Sequence, residues 1–380
     1  MSSGVFVRSV GVVCHAGMGA AALRRALADP NWKAEPGLAR PDADSLPVAV
    51  CRDFTTRDVL PPLVARRLDR PSRLLAVAAR EALLPLGEPL PWESERVGVV
   101  VATWNAGTSA LVEVLRTVFL ASPDEAPPAQ FPSTVANAPA SQLGILAKLR
   151  GPNLTFAEKQ AGGARAVIEA ARLLERGRTD AVVAGGVDEG DWLNAEGYHR
   201  LGTLRGPNRP GMLLAEGAAV LVLARDPGAA PLARITGWGS ASSPAPPHHY
   251  PDRPTGLLVA ARQALERAGL PADAIDLVIC QANGSPALTA IELGAWGCLF
   301  GGHRPAVLAP AERLGEGAVS PALRAVVATL SLDGQVLPAW LPPSEFASAG
   351  FSSLRSRPHH VLVAAVAGGG AAEALVLSRA

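Results

Sequence analysis

A chain of 380 residues, 48% hydrophobic and 18% charged, is too long for one small core and too apolar for a disordered protein. Its formal net charge of +1 offers no basic excess for a phosphate backbone, and its four cysteines, without CxxC spacing, argue against a metal site or a disulfide framework and for a reduced, cytoplasmic setting. Neither a signal peptide nor a membrane span is expected, because Arg8 interrupts the first apolar run and Gly368-Gly369-Gly370 and Glu373 interrupt the most apolar segment, Val361 to Leu377.

In chain order, Val5 to Val13 reads as a strand and Ala20 to Leu27 as a short helix, followed by an irregular, proline-containing segment to about Leu60. Ala65 to Leu83 reads as an arginine-rich stretch and a helix, followed by a buried strand over Val97 to Val101 and a helix from the Trp104-Asn105-Ala106-Gly107 turn to about Phe119. A loop follows over Ser122 to Pro132, then a helix through Gln142 to Leu149. Tyr198 to Pro210 reads as a compact segment, before a strand at Val220 to Leu223. The second half gives a strand at Arg234 to Trp238, a loop at Ser240 to Pro254 with no evident structural duty, and a helix at Leu257 to Ala268. It ends with a strand at Leu277 to Cys280, helices at Ala287 to Phe300 and Pro321 to Leu330, and a terminal strand pair. His248, His249 and His303 have no ligand spacing and are expected at the surface, so no metal site is assigned.

The stretch from Gly151 to Glu189 organises the rest. Leu154-Thr155-Phe156 suits a short strand, Gly162-Gly163 permits a tight turn, and Val167, Ile168, Ala171 and Leu174 recur at helical spacing before the buried strand Ala181 to Ala184. A strand that bends sharply into a helix N-terminus is a good place for a nucleophile, because the side chain at the bend is thrust out and the helix end favours negative charge. The residue at this bend is Gln160.

GPNLT, a short turn, and then AxxxIEAARLLxRGxxDxxxAGGxDE resemble the nucleophile segment of the β-ketoacyl synthases of the thiolase superfamily. The resemblance covers nearly the whole chain. It implies an α/β, thiolase-like duplicated α-β-α-β-α five-layer fold, with an N-terminal half over 1–228 and a C-terminal half over 229–380. It also implies a cysteine at the position of Gln160 and two histidines, which this chain lacks: Asn283 stands at the first histidine position and Glu316 at the second. Ala311 lies where the family has a lysine, and Gly368 where it has a gating phenylalanine. An amide cannot accept an acyl chain as a thioester, so no catalytic residue and no cofactor is assigned.

Gln160-Ala161-Gly162-Gly163 is similar to the pattern of the chain-length factors, the β-subunits of type II polyketide synthases. That similarity implies a heterodimer with a catalytic ketosynthase, an acyl carrier protein that delivers the polyketide, and no nucleic-acid or membrane partner. It implies an interface strand at Leu154, Thr155, Phe156 and Ala157, and a substrate tunnel lined by Thr108, Leu111, Val112 and Leu115, whose shared helical face equally fits ordinary core. Glu158 and Lys159 depart from the small residues usual there: either they pair with each other or with the partner, or the local geometry differs. Arg66, Arg67 and Arg70 serve either a carrier protein or the anchoring of Asp69 and nearby carbonyls. Two other functions stay open: a malonyl-carrier-protein decarboxylase that makes an acetyl starter, and a structural carrier-protein-binding dimer.

Overall fold

The computed structural model describes residues 4–33, 35–40 and 43–380. Ten strands form its main sheet path. In the first half these are β1 (Val5–Cys14), β2 (Val97–Ala102), β3 (Asn153–Phe156), β4 (Ala181–Asp188) and β5 (Gly217–Ala224); in the second they are β6 (Ala233–Ser242), β7 (Leu277–Ile279), β8 (Ala306–Leu308), β9 (His360–Val366) and β10 (Ala371–Ser378). Spatially they run β3-β2-β4-β5-β1 and then β6-β10-β9-β7-β8, so each half repeats one strand order in mirror sequence about the β1–β6 seam. The pairing senses repeat as well. The first strand of each half is antiparallel to the fifth and the fifth to the fourth, while the fourth, second and third run parallel. The duplication is thus written in topology, whereas the two halves share no obvious letters. At the seam, Val5, Phe6 and Val7 pair with Ile235, Arg234 and Ala233.

Parallel strands are covered on both faces, which is why β2 reads VGVVVA without alternation and is buried throughout. Helix α1 (Gly19–Ala28) packs on β1, and α2 (Arg70–Leu83) covers the outer face of the first half-sheet. Next come α3 (Thr108–Leu120), α4 (Ala138–Leu146), α5 (Gly162–Glu175) and α6 (Trp192–Arg200). Helices α7 (Thr255–Ala268) and α8 (Pro286–Phe300) cover the second half-sheet, and α9 (Val319–Leu332) completes the set. α5 and α9 pack together between the two half-sheets, and all fourteen residues of α9 are buried. A helix apolar on every side belongs inside a core. The layering is α2/α4, sheet, α5/α9, sheet, α7/α8, the five-layer thiolase-like arrangement expected from the sequence.

Three elements refine the sequence reading. Within 65–83 the helix is α2, which begins at Arg70 because the Asp69 carboxylate accepts the Ser72 N–H (3.0 Å) and caps it, and a short turn, Pro62–Ala65, precedes the arginines. The helix expected over 142–149 runs Ala138–Leu146, started by Pro139 in its first turn. The segment beginning at Tyr198 is partly the end of a helix, α6, which Asp191 caps by accepting the Asn194 N–H (3.0 Å).

Candidate functional site

β3 leads into a single 3-10 turn, Lys159–Ala161, and directly into α5. Lys159 sits in the left-handed region (φ 46°), and this bend directs Gln160 inward, where it is buried. The helix can begin so abruptly because Gly163 has no Cβ: one built there would lie 2.5 Å from the Ala318 carbonyl oxygen, just before α9. The Gln160 Oε1 accepts the Gly368 N–H (3.2 Å). The Lys159 ammonium donates to the carbonyls of Gly368 (3.3 Å) and Pro247. Glu158 faces Arg165 (3.8 Å) instead. Within this chain, therefore, Glu158 and Lys159 do not pair with each other: each has its own partner.

The second half brings its own residues to the same place. β7 delivers Gln281 and Asn283, both fully buried. The Asn283 Nδ2 donates to the Tyr250 hydroxyl (2.9 Å), and its Oδ1 accepts the Ser285 N–H (3.1 Å). Gln281 bridges the N–H (2.6 Å) and the carbonyl (2.9 Å) of Val366, while Glu292 accepts the N–H groups of Gln281 (2.8 Å) and Ala282 (2.7 Å). Glu316, in the turn before α9, accepts the Gly317 N–H (3.2 Å), and its other oxygen lies 3.5 Å from Nη1 of Arg324. Ala311 opens the short helix Ala311–Leu314 as a buried methyl group.

Beside Gln160 lies a cavity of about 300 Å³, lined by Lys159, Gln160, Trp104, Tyr198, Tyr250 and Gly368 among others; Asn283 reaches it only through Tyr250, and Glu316 and Ala311 are not among its lining residues. The loop over 240–254, which the sequence left without a duty, roofs it. Pro247 is held by Lys159, His249 by the Gly369 N–H (3.0 Å), and Tyr250 by Asn283. Of the three histidines expected at the surface, His248 and His249 are exposed, whereas His303 is half-buried and contacts the Ile275 carbonyl (3.0 Å). No thiolate is at hand, since burial pushes the Cys14 thiol up to about 12 and those of Cys51 and Cys280 well above their usual value. Among the described residues, no group of three or more His, Cys, Asp or Glu side chains could hold a metal ion.

Arg324 and Glu292 were missed by sequence reasoning. The signal was there: each is a lone charge in an otherwise apolar helix, SPALRAVVATL and TAIELGAWG. Arg324 is 1% exposed and its guanidinium makes no hydrogen bond, so its role is that of a buried counter-ion between two carboxyl groups. Burial raises Glu292 and Glu316 to about 7, and the Arg324 charge opposes that rise. Asp188, also missed, accepts the N–H groups of Trp104 (2.6 Å) and Val319 (3.0 Å), tying β4 to the cavity wall and to the start of α9. Of the three arginines, Arg70 forms a two-pronged pair with the buried Glu216, while Arg66 and Arg67 stay exposed. Arg70 thus anchors Glu216 rather than Asp69.

These burials set a pH dependence. Burial raises Asp188 to about 6 and Glu189, Glu292, Glu316 and Glu373 to about 7. Each holds its proton more tightly folded than unfolded, so its contribution is complete below the ordinary carboxylate range and is lost as pH rises through 6 to 7. His15 and His360, lowered by burial, act in the opposite sense but are fewer. Stability should therefore fall from about pH 5 to about pH 7.5 in chemical denaturation, and Glu316→Gln should flatten the slope. A curve that rises across this window would contradict the assignment.

The α3 residues lie elsewhere. Leu111 and Leu115 are 41% and 40% exposed, Val112 is half-buried, and none of them lines the Gln160 cavity. Thr108 is fixed, its hydroxyl donating to the Asn105 carbonyl (2.8 Å) and accepting from Asn194 Nδ2 (3.0 Å). The face is thus not ordinary core. β3 is an edge strand whose outer side has no partner among the described residues; Leu154, Thr155 and Phe156 are half-buried on it, and Ala157, just beyond, is exposed. No helix among the described residues is long and apolar enough to cross a membrane.

Comparison with known proteins agrees with this architecture. Residues 56–229 match the β-ketoacyl synthase N-terminal domain, and residues 232–342 the β-ketoacyl synthase C-terminal domain. The chain is 29% identical over 329 residues to the actinorhodin polyketide putative β-ketoacyl synthase 2 of Streptomyces coelicolor, covering 80% of each. It is 29% identical over 321 residues to the tetracenomycin polyketide synthase ketoacyl synthase β subunit of Streptomyces glaucescens, covering 78% of each. Among solved structures, the ishigamide ketosynthase/chain length factor superposes with a TM-score of 0.87 at 21% identity over 99% of both chains. A ketosynthase in complex with its chain length factor from Xenorhabdus doucetiae gives a TM-score of 0.81 at 20% identity over 99% of this chain and 98% of the other. With two family domains matched in succession over most of its length, the chain belongs to the β-ketoacyl synthase family.

Proposed function

We propose that this chain is the non-catalytic chain-length-factor subunit of a type II polyketide synthase: a cytoplasmic protein that pairs with a catalytic ketosynthase, shapes the elongation tunnel and sets product length. The observation that carries this reading is the occupancy of the three catalytic positions. Gln160, Asn283 and Glu316 are all buried and all committed to hydrogen bonds within the fold, so they serve the scaffold and supply neither nucleophile nor imidazole. A well-packed synthase body without chemistry needs a partner that has it. The relatives from Streptomyces, one named as a β subunit, and the solved ketosynthase complexes support that choice of partner.

The free edge of β3 and the apolar face of α3, where Leu111, Leu115 and Phe119 are exposed, are the surfaces we assign to the partner. In this assignment Thr108, Leu111, Val112 and Leu115 line the tunnel, and the growing chain arrives on an acyl carrier protein. Co-expression with the catalytic ketosynthase should give a one-to-one complex that extends malonyl-carrier protein only when both subunits are present. Leu115→Asp should weaken that complex about 100-fold or more in size-exclusion titrations, because an unpaired carboxylate buried at an interface costs several kcal/mol. Failure to associate, with carbon dioxide released from malonyl-carrier protein by this chain alone and lost in Gln160→Ala, would replace this reading with a starter-making decarboxylase.

A further inference from the structure

The cavity beside Gln160 carries charge of one sign. Lys159 lines it, with His248 and His249 exposed at its mouth, and no aspartate or glutamate does. The nearby acids lie elsewhere: Glu158 faces Arg165 (3.8 Å), while Asp188, Glu189, Asp191 and Glu316 line a separate space of about 20 Å³. Lys159 therefore has no counter-ion among the described residues.

Two donors are left unused there. An ammonium has three N–H groups, and the Lys159 Nζ gives two to the carbonyls of Gly368 (3.3 Å) and Pro247, so the third has no acceptor among the described residues. Burial lowers the Lys159 ammonium from its ordinary value, the direction expected of a cation with no anion beside it. Gln160 is only 5% exposed, and because its Oε1 accepts the Gly368 N–H, the other end of the amide is Nε2. That Nε2 makes no hydrogen bond among the described residues and is not sealed inside the core. A donor left unmade in so enclosed a place favours a ligand that accepts.

The rest of the lining is apolar and largely aromatic. Trp104, Tyr198 and Tyr250 contribute rings, with Met212 and Pro286 beside them. A volume of about 300 Å³ is at the small end for a ligand pocket and suits one or two fused rings. One ammonium balances one negative charge, which fits a carboxylate better than a phosphate dianion. We propose that this cavity is a binding site for a small, free aromatic monocarboxylate, with the carboxylate on Lys159 and the Gln160 amide and the ring against Trp104, Tyr198 and Tyr250. The site requires no tunnel and no partner subunit, and no bond is made or broken in it.

The test is isothermal titration calorimetry of the full chain with 2-naphthoate and with its uncharged isostere, 2-naphthamide. The acid should bind about tenfold or more tightly than the amide, because only the acid makes charge-assisted hydrogen bonds. Lys159→Gln keeps a donor for the loop carbonyls but removes the charge. Gln160→Glu keeps the oxygen that accepts the Gly368 N–H, replaces the free donor and hands Lys159 an internal counter-ion. Each should weaken 2-naphthoate about tenfold or more and leave 2-naphthamide nearly unchanged. Equal affinity for acid and amide, an affinity for the acid unchanged in either folded variant, or no saturable binding of the acid up to about 5 mM would overturn the site. Should neither variant fold, the comparison of acid and amide on the unaltered chain decides it.

Discussion

Gln160→Cys will leave this chain unable to condense acyl units, with elongation held about a million-fold below that of an intact synthase. The substitution restores a thiol at the start of α5, where the helix end favours a thiolate. It restores nothing else, because the groups that assist decarboxylation and stabilise the oxyanion act with the nucleophile as a unit. Asn283 presents an amide already bound to Tyr250 and Ser285, and Glu316 a carboxyl set against Arg324. The measurement is elongation of malonyl-carrier protein by the variant paired with a ketosynthase whose own cysteine has been removed, with intact-protein mass spectrometry reporting acylation. Extended product from Gln160→Cys alone would mean that the centre is dormant rather than dismantled.

Arg324→Met will destabilise the chain by about 3–5 kcal/mol in chemical denaturation near neutral pH, because it leaves Glu292 and Glu316 buried without their counter-ion. Methionine fills much of the arginine stem, so the loss reports the charge more than a void. Two controls sharpen the point. The loss should shrink below about pH 6, where both carboxyl groups, raised to about 7, hold their protons. It should also be largely recovered in Arg324→Met/Glu316→Gln. A single variant as stable as the parent at pH 7.5 would show that the carboxyl groups are already neutral there.

The elements legible in the sequence were those whose determinants lie close together along the chain. The path from β3 through the turn into α5 carries its own strand residues, glycines and helical apolar spacing, so the place of Gln160 could be read locally. The positions of Asn283 and Glu316 followed from the family pattern around them. α6 was not legible, because Trp192, Leu193 and Leu201 in and just after it are exposed and the helix buries only Ala195 fully, leaving the Asp191 cap as its one clear signal. The duty of the 240–254 loop was hidden for another reason: its fastenings come from Lys159, Asn283 and Gly369, remote in the chain. The edge-to-face contact of Trp104 and Tyr198 is likewise made by residues 94 positions apart, a pairing that only the folded chain reveals.

The fastening of the two loops also bears on how such a protein can change over generations. Gln160 holds the glycine loop through Gly368, Lys159 holds both loops, and Asn283 holds Tyr250. Gln160 and Asn283, at the positions where the family resemblance implies a cysteine and a histidine, have a use in architecture here. A mutation that reintroduces a catalytic side chain at any one of them sacrifices a hydrogen bond immediately and gains no turnover until the others change as well. If the chain is the subunit proposed above, the route from it to an independent synthase runs through intermediates inferior at both roles.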